Sequence, residues 1–106
     1  MAVEVREVAE QRRFEVYEGG ELAGFTDCVP DGEAVAMPHT EIEPELGGRG
    51  LASELIRVTL DTLRDRDALV LPYCSFVSAY IAKHPEYLSL VPESARIRFG
   101  LPERQP

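Results

Sequence analysis

Glu45-Leu-Gly-Gly-Arg-Gly-Leu-Ala52 is the stretch around which the rest of the chain is organised. Gly47, Gly48 and Gly50 crowd into one short turn. An extended-looking segment, 33–42, precedes it, and the best helical pattern of the chain, 51–65, follows it. A glycine-rich turn that opens a helix leaves several backbone N–H groups without intrahelical partners. With the positive end of the helix dipole they form an anion site, and glycine lets the backbone approach a phosphate closely. A pyrophosphate is the natural ligand, and Arg49 could add a cationic contact to it. A flexible connection in front of any helix would look similar.

Known phosphate loops narrow the choice. No Gly-Lys-Ser/Thr follows, so this is not a P-loop, and the spacing fails the G-x-G-x-x-G fingerprint. The remaining template is the acyl-CoA loop, Gln/Arg-x-x-Gly-x-Gly/Ala. Gly50-Leu-Ala52 matches its second half, whereas Gly47 stands where Gln or Arg is usual.

His39-Thr-Glu-Ile42, Gly48-Arg-Gly-Leu-Ala52, Pro72-x-Cys74 and His84-Pro-Glu-Tyr87 form one ordered set. Together they resemble the short, free-standing proteins of the GNAT superfamily of acyl-CoA-dependent N-acyltransferases, over roughly residues 12–91. The resemblance implies an α+β domain over 1–91 and a C-terminal tail over 92–106. The fold it implies is a trimmed GNAT fold: a mixed, mostly antiparallel sheet, splayed central parallel strands and two main helices. It implies acetyl-CoA as co-substrate, bound through Gly48, Arg49, Gly50, Leu51 and Ala52. Tyr80 resembles the tyrosine that protonates the leaving thiolate, against the plainer reading of a half-buried helix tyrosine. Lys83 and His84 are candidates for a CoA phosphate, or are simply solvent-exposed.

Composition bounds these readings. The chain has 106 residues, 44% of them hydrophobic, which suits one globular domain with a modest core. It is too short for a complete GNAT domain with its C-terminal strand pair. A net charge of −8 argues against nucleic acid and permits a cationic acceptor, an amine or a lysine-bearing peptide. An anionic co-substrate must then be held by local donors against an unfavourable overall field. No signal-peptide core and no membrane-length apolar run is visible, so a cytoplasmic protein with reduced Cys28 and Cys74 is expected. No spacing of cysteine and histidine suggests a metal site.

Residues 1–11 fit either a short edge strand or a loose arm. Phe14 and Val16 alternate with Arg13, Glu15 and Tyr17, a half-buried strand. Gly19-Gly20 turns the chain into a returning strand over 22–28. Val29-Pro-Asp-Gly32 reads as a second turn, and 33–42 as a third strand, interrupted or opened at Pro38. In the resembling fold this strand lies beside the acyl chain, where unpaired backbone would grip pantetheine. The helix over 51–65 turns Leu51, Leu55, Ile56, Leu60 and Leu63 towards a sheet and its charges away. Residues 68–71 make a short strand, Phe76, Val77, Tyr80 and Ile81 a second helix stopped at His84-Pro85, and 88–91 an apolar cover for the sheet edge. The strands on either side of the first helix are expected to diverge near the glycine loop and open a cleft.

Cys74 falls between the last strand and the second helix, where the positive helix end favours a thiolate. It could take the acetyl group, position it, or be a buried structural cysteine. His39 could accept a proton from an attacking amine or hydrogen-bond local backbone. Cys28 reads as a small apolar residue. Two functions stand side by side: transfer of acetyl from acetyl-CoA to an unidentified amine, and a non-catalytic module that binds or senses acetyl-CoA. A small interaction domain with no CoA is the third.

Overall fold

The computed structural model describes residues 2–46 and 50–104. Seven strands and two helices alternate with short 3-10 turns. The strands are β1 (Val3–Val8), β2 (Arg13–Glu18), β3 (Glu21–Asp27), β4 (Val29–Asp31), β5 (Ala34–Ala36), β6 (Thr40–Ile42) and β7 (Leu69–Leu71). The helices are α1 (Leu51–Asp65) and α2 (Ser75–Lys83). One sheet has the antiparallel order β1-β2-β3-β6, the other the order β4-β5-β7. In the second, β5 and β7 run parallel, Ala34 opposite Leu69 and Ala36 opposite Leu71.

The N-terminal residues resolve to an edge strand, with Val3 opposite Glu18 and Val8 opposite Arg13. Gly19 and Gly20 both take positive φ and make the expected hairpin turn. The turn expected at 29–32 is shorter than its composition suggests. Val29, Pro30 and Asp31 pair with Ala36, Val35 and Ala34, which confines the turn to Gly32 and Glu33. Pro30 is tolerated because β4 is an edge strand, where a missing donor costs no ladder bond.

The single strand expected over 33–42 is two strands in two sheets. Its first half, β5, pairs with β7, and its second half, β6, pairs with β3. The break falls at Met37 and Pro38. Met37 donates to the Leu71 carbonyl at 3.0 Å and accepts from the Cys74 N–H at 2.8 Å. Pro38 has no N–H to continue that ladder, and the chain crosses to β3. The expected divergence is therefore present, and it is complete by the end of β7.

Helix α1 buries Leu51, Leu55, Ile56, Thr59, Leu60 and Leu63 and packs across β1, β2 and β3. Its outer face carries Arg57 between Glu54 and Asp61, both within salt-bridge distance. The C-terminal end is tied back to β1 by an ion pair between Arg66 and Glu7. Residues 85–90 form 3-10 turns whose Tyr87, Leu88 and Leu90 are buried. They pack on α1 and α2 instead of covering a sheet edge. Beyond residue 91, Ala95 and Leu101 join the core, while Ile97 remains 66% exposed. Among the described residues no helix is long and apolar enough to cross a membrane.

The Tyr87 hydroxyl donates to Asp61 Oδ1 at 2.6 Å and fastens the 3-10 turn to α1. Burial, then the bond to Asp61, push the Tyr87 phenol from 10.0 up to about 12. Its folded value lies above its unfolded one, so its stability contribution is complete below pH 10.0 and is lost as pH rises through about 12. Urea unfolding of Tyr87→Phe across that alkaline window should show a shallower fall in stability than the wild type. At neutral pH the variant should be less stable by about 1 kcal/mol, the worth of one hydrogen bond.

Candidate functional site

The separation of β6 from β7 creates the site. Asp27 donates to the His39 carbonyl at 2.9 Å, and Glu43 donates to the Ala23 carbonyl at 2.8 Å. Backbone groups in an antiparallel ladder alternate sides, so His39, Glu41 and Glu43 turn their peptide groups towards β3. Thr40 and Ile42 turn theirs to the other edge. Among the described residues no strand is paired on that edge, because β6 ends the order of its sheet. A short run of free backbone donors and acceptors thus borders the gap beyond β7.

Side chains of β6 alternate between faces. Thr40 points to the core side, where its Oγ1 lies 2.8 Å from Oγ1 of Thr26 and 3.4 Å from Sγ of Cys74. Cys74 occupies the N-cap position of α2, in extended conformation, as its place in the sequence suggests. His39 and Glu41 project from the opposite face. His39 Nε2–H donates to Glu41 Oε2 at 2.9 Å, which leaves Nδ1 as the basic nitrogen of the neutral ring. The Phe25 ring lies 6.0 Å from the His39 ring and carries the Arg13 guanidinium at 4.4 Å. On this face Glu15 is only 5% exposed, bonded by Tyr17 at 2.6 Å and by Arg13 at 2.8 Å. Those bonds, Tyr17 first, hold its carboxyl below the usual range despite burial.

In chain order the start of α1 follows β6 after a single 3-10 turn. Gly50 takes φ +76 as N-cap, and nothing stands within 4 Å of where its Cβ would be. Glu54 N–H to the Gly50 carbonyl, 3.1 Å, is the first turn of the helix, and no side chain caps the end. The N–H groups of Leu51, Ala52 and Ser53, in the first turn, have no partner within the helix itself. The Leu51 side chain is buried in the core and Ala52 is half-buried, so these positions offer a ligand their backbone rather than their side chains. Gly48 and Arg49, the other loop residues expected to hold phosphate, lie outside the described residues.

A cleft of about 200 Å³ runs between this helix start and α2, lined by Ser53, Phe76, Ala79, Tyr80, Lys83 and His84. Phe76, Tyr80 and His84 share its α2 wall because they are four residues apart. Tyr80 and His84 stack at 4.0 Å, and His84 Nδ1–H donates to the Tyr80 carbonyl at 2.9 Å. That bond leaves His84 Nε2 for the cleft. Tyr80 is 9% exposed and lines the cleft. Burial raises the phenol above its ordinary 10.0, which keeps it protonated at neutral pH. Lys83 is exposed on the rim.

The residues read from the sequence therefore fall into three groups. Tyr80, Lys83 and His84 share the cleft with the start of α1, Cys74 sits with Thr40 at the root of the split, and His39 lies on the far face. Neither histidine bonds to Cys74. Cys28 lies elsewhere, with its thiol pushed up to about 12 mainly by burial, in keeping with an inert residue. Met37, Thr26, Thr40 and Ser53 were not singled out by sequence. Strand alternation would have paired Thr26 with Thr40 had the β3–β6 register been known.

Comparison with known proteins agrees with this architecture. Residues 13–90 match the family described as GCN5-related N-acetyl-transferase, and the chain belongs to that family. The fold is similar to the NMR solution structure of a GCN5-like protein from Staphylococcus aureus, with TM-score 0.65 and 19% identity. The likeness covers 84% of this chain and 87% of that one. No curated protein matches the sequence.

One backbone approach fixes where β6 lies. A Cβ at Gly24 would collide with the Glu41 carbonyl oxygen and stand 2.6 Å from Ile42 Cδ1. Gly24→Ala should force β6 outward and destabilise the fold by about 1–3 kcal/mol, as overpacking does. Thermal unfolding should show a lowered Tm; an unchanged one would mean that β6 yields freely.

Proposed function

We propose that the protein is an N-acetyltransferase that takes acetyl-CoA as donor and an amine as acceptor. The observation that carries this reading is the peptide edge at Thr40 and Ile42, which no strand pairs among the described residues, followed in the chain by the start of α1. An extended amide-bearing arm can pair with such an edge as a further strand does, and a pyrophosphate suits the N–H groups of residues 51–53. Arg49 and the backbone of Gly48, Gly50, Leu51 and Ala52 complete the phosphate site in this reading. Lys83, the only lysine of the chain, supplies a cation beside the cleft in a protein of net charge −8, and His84 Nε2 a further polar contact.

Transfer then follows from the residues around the split. The amine nitrogen attacks the acetyl carbonyl, forming the C–N bond as the C–S bond breaks. The amine proton passes to His39 Nδ1, whose ring Glu41 holds and would stabilise when charged. Tyr80 gives its phenolic proton to the departing thiolate and regains it from solvent. A second route is favoured by the position of Cys74 at the root of the split. Its thiolate attacks the acetyl carbonyl, forming a Cys74 thioester as the CoA C–S bond breaks and CoA leaves with the Tyr80 proton. The amine then forms the C–N bond as the Cys74 S–C bond breaks and the Cys74 thiolate returns. Tracing acetyl in the protein by mass spectrometry, before amine is added, separates the two.

Titration calorimetry with acetyl-CoA tests the binding half. Lys83→Glu should weaken affinity about 2- to 5-fold, as expected for one exposed ion contact, and binding should weaken with rising salt. Absence of any binding would leave a small interaction domain. A thiol-release assay over a panel of amines tests the chemical half. Tyr80→Phe should slow turnover roughly 100- to 10,000-fold, the range of a lost general acid, with affinity nearly unchanged. Binding without thiol release for any amine would make the protein a non-catalytic acetyl-CoA module.

A further inference from the structure

A second cavity, of about 250 Å³, opens beside Leu63 and Arg66 at the C-terminal end of α1. One helix length, roughly 20 Å, separates it from Gly50. Its floor is apolar. Phe14 and Leu63 are buried in the core, and Cys28 and Val35 pack against it half-buried. Cys28 adds no charge, because burial keeps its thiol protonated at neutral pH. Arg12, Arg13 and Arg66 line the cavity with one carboxylate, Glu7. Arg66 is paired with Glu7, and Arg13 with Glu15. Arg12 is exposed and makes no side-chain hydrogen bond or ion pair among the described residues. It follows the 3-10 turn Ala9–Gln11 with φ 53 and ψ 49, the left-handed region that Gly or Asn occupies at less cost. Two bonds hold it there. Its N–H donates to the Ala9 carbonyl at 3.0 Å, and its carbonyl accepts from the Cys28 N–H at 2.8 Å. An arginine at this position strains the backbone and gains no side-chain partner among the described residues.

We propose that this cavity binds a small carboxylic acid with a short apolar body, its carboxylate on Arg12 and its body on the floor of Phe14, Cys28, Val35 and Leu63. The size suits such a ligand. An apolar cavity of about 150 Å³ takes a benzene, so this one has room for a ring or a short chain below the carboxylate. The charge suits it as well. One uncommitted guanidinium matches one planar carboxylate through two parallel N–H bonds. A phosphate dianion would meet the same single cation against a net charge of −8. The negative end of α1 lies close by, but its last carbonyls are occupied. Those of Thr62, Leu63 and Arg64 accept from the N–H groups of Arg66, Asp67 and Ala68. The site shares no residue with the cleft at Ser53 and Tyr80. Its test needs no acetyl-CoA, so it stands or falls apart from acetyl transfer.

The measurement is an amide NMR titration of the full chain with sodium butanoate and sodium hexanoate, followed at residues 9–14, 28–35 and 63–66. Hexanoate should shift these amides. It should bind roughly 10-fold more tightly than butanoate, at about 4-fold for each further methylene buried. Hexylamine, the same body carrying a cation, should leave them unmoved. Arg12→Gly relieves the left-handed strain, so its Tm should equal or exceed that of the wild type. It should nevertheless bind hexanoate about 3- to 5-fold more weakly, the upper range for one exposed ion contact. Cys28→Leu fills the floor and should weaken binding with Arg12 in place. Thermal unfolding checks its fold, and Val35→Leu is read in the same way if Cys28→Leu does not fold. No shift at these amides with tens of millimolar hexanoate would overturn the proposal. So would equal shifts with hexylamine, equal affinity for the two acids, or a folded Arg12→Gly chain that binds hexanoate as the wild type does.

Discussion

The two hydrogen bonds made by the backbone of Met37 hold the site together. Its N–H goes to Leu71 at the end of β7, and its carbonyl receives the N–H of Cys74 at the start of α2. One residue thereby joins the last parallel rung, the following helix and the departure of β6. Pro38 cannot extend the rung, so the chain must find its next partners on β3. The gap and the free edge of β6 both follow from that single change of partner, and α1 begins shortly beyond it.

The short strand β6 keeps two chemistries apart. Its period of two sends Thr40 towards Thr26 and Cys74, and sends His39 and Glu41 to the outer face beside Phe25. His39 and Cys74 are thus kept on opposite sides of one short strand. Under the proposed function, an amine approaching from the outer face would meet His39, and an acyl group seated along the edge of β6 would be open to both sides.

Much of this was legible in the chain. The alternation of 13–17, the Gly19-Gly20 turn, the apolar stripe of α1 and the stop at His84-Pro85 all act locally, and each element forms where its pattern indicates. Pro38 was readable as a break, but its result was not: whether the strand bulges or changes sheets depends on the distant partners β3 and β7. The same limit hid the Thr26–Thr40–Cys74 chain, whose members lie on three elements and meet only through the β3–β6 register. Sequence separation does not reveal which face of β6 His39 takes, and so did not show that it stands away from Cys74. Tyr80, Lys83 and His84 were easier, since helical spacing by itself puts Tyr80 and His84 on one wall.

The order of contacts along the chain has a kinetic side. The hairpins β1–β2 and β2–β3 close short loops, whereas Ala34 meets Leu69 only after the whole intervening segment, with α1 in it, has been brought round. Loop-closure entropy grows with the length enclosed, and non-local pairings are the slow ones. The antiparallel meander is thus a scaffold that assembles early. The parallel rung at Met37, and with it the opening beside β6, belongs to the part of the topology that closes last.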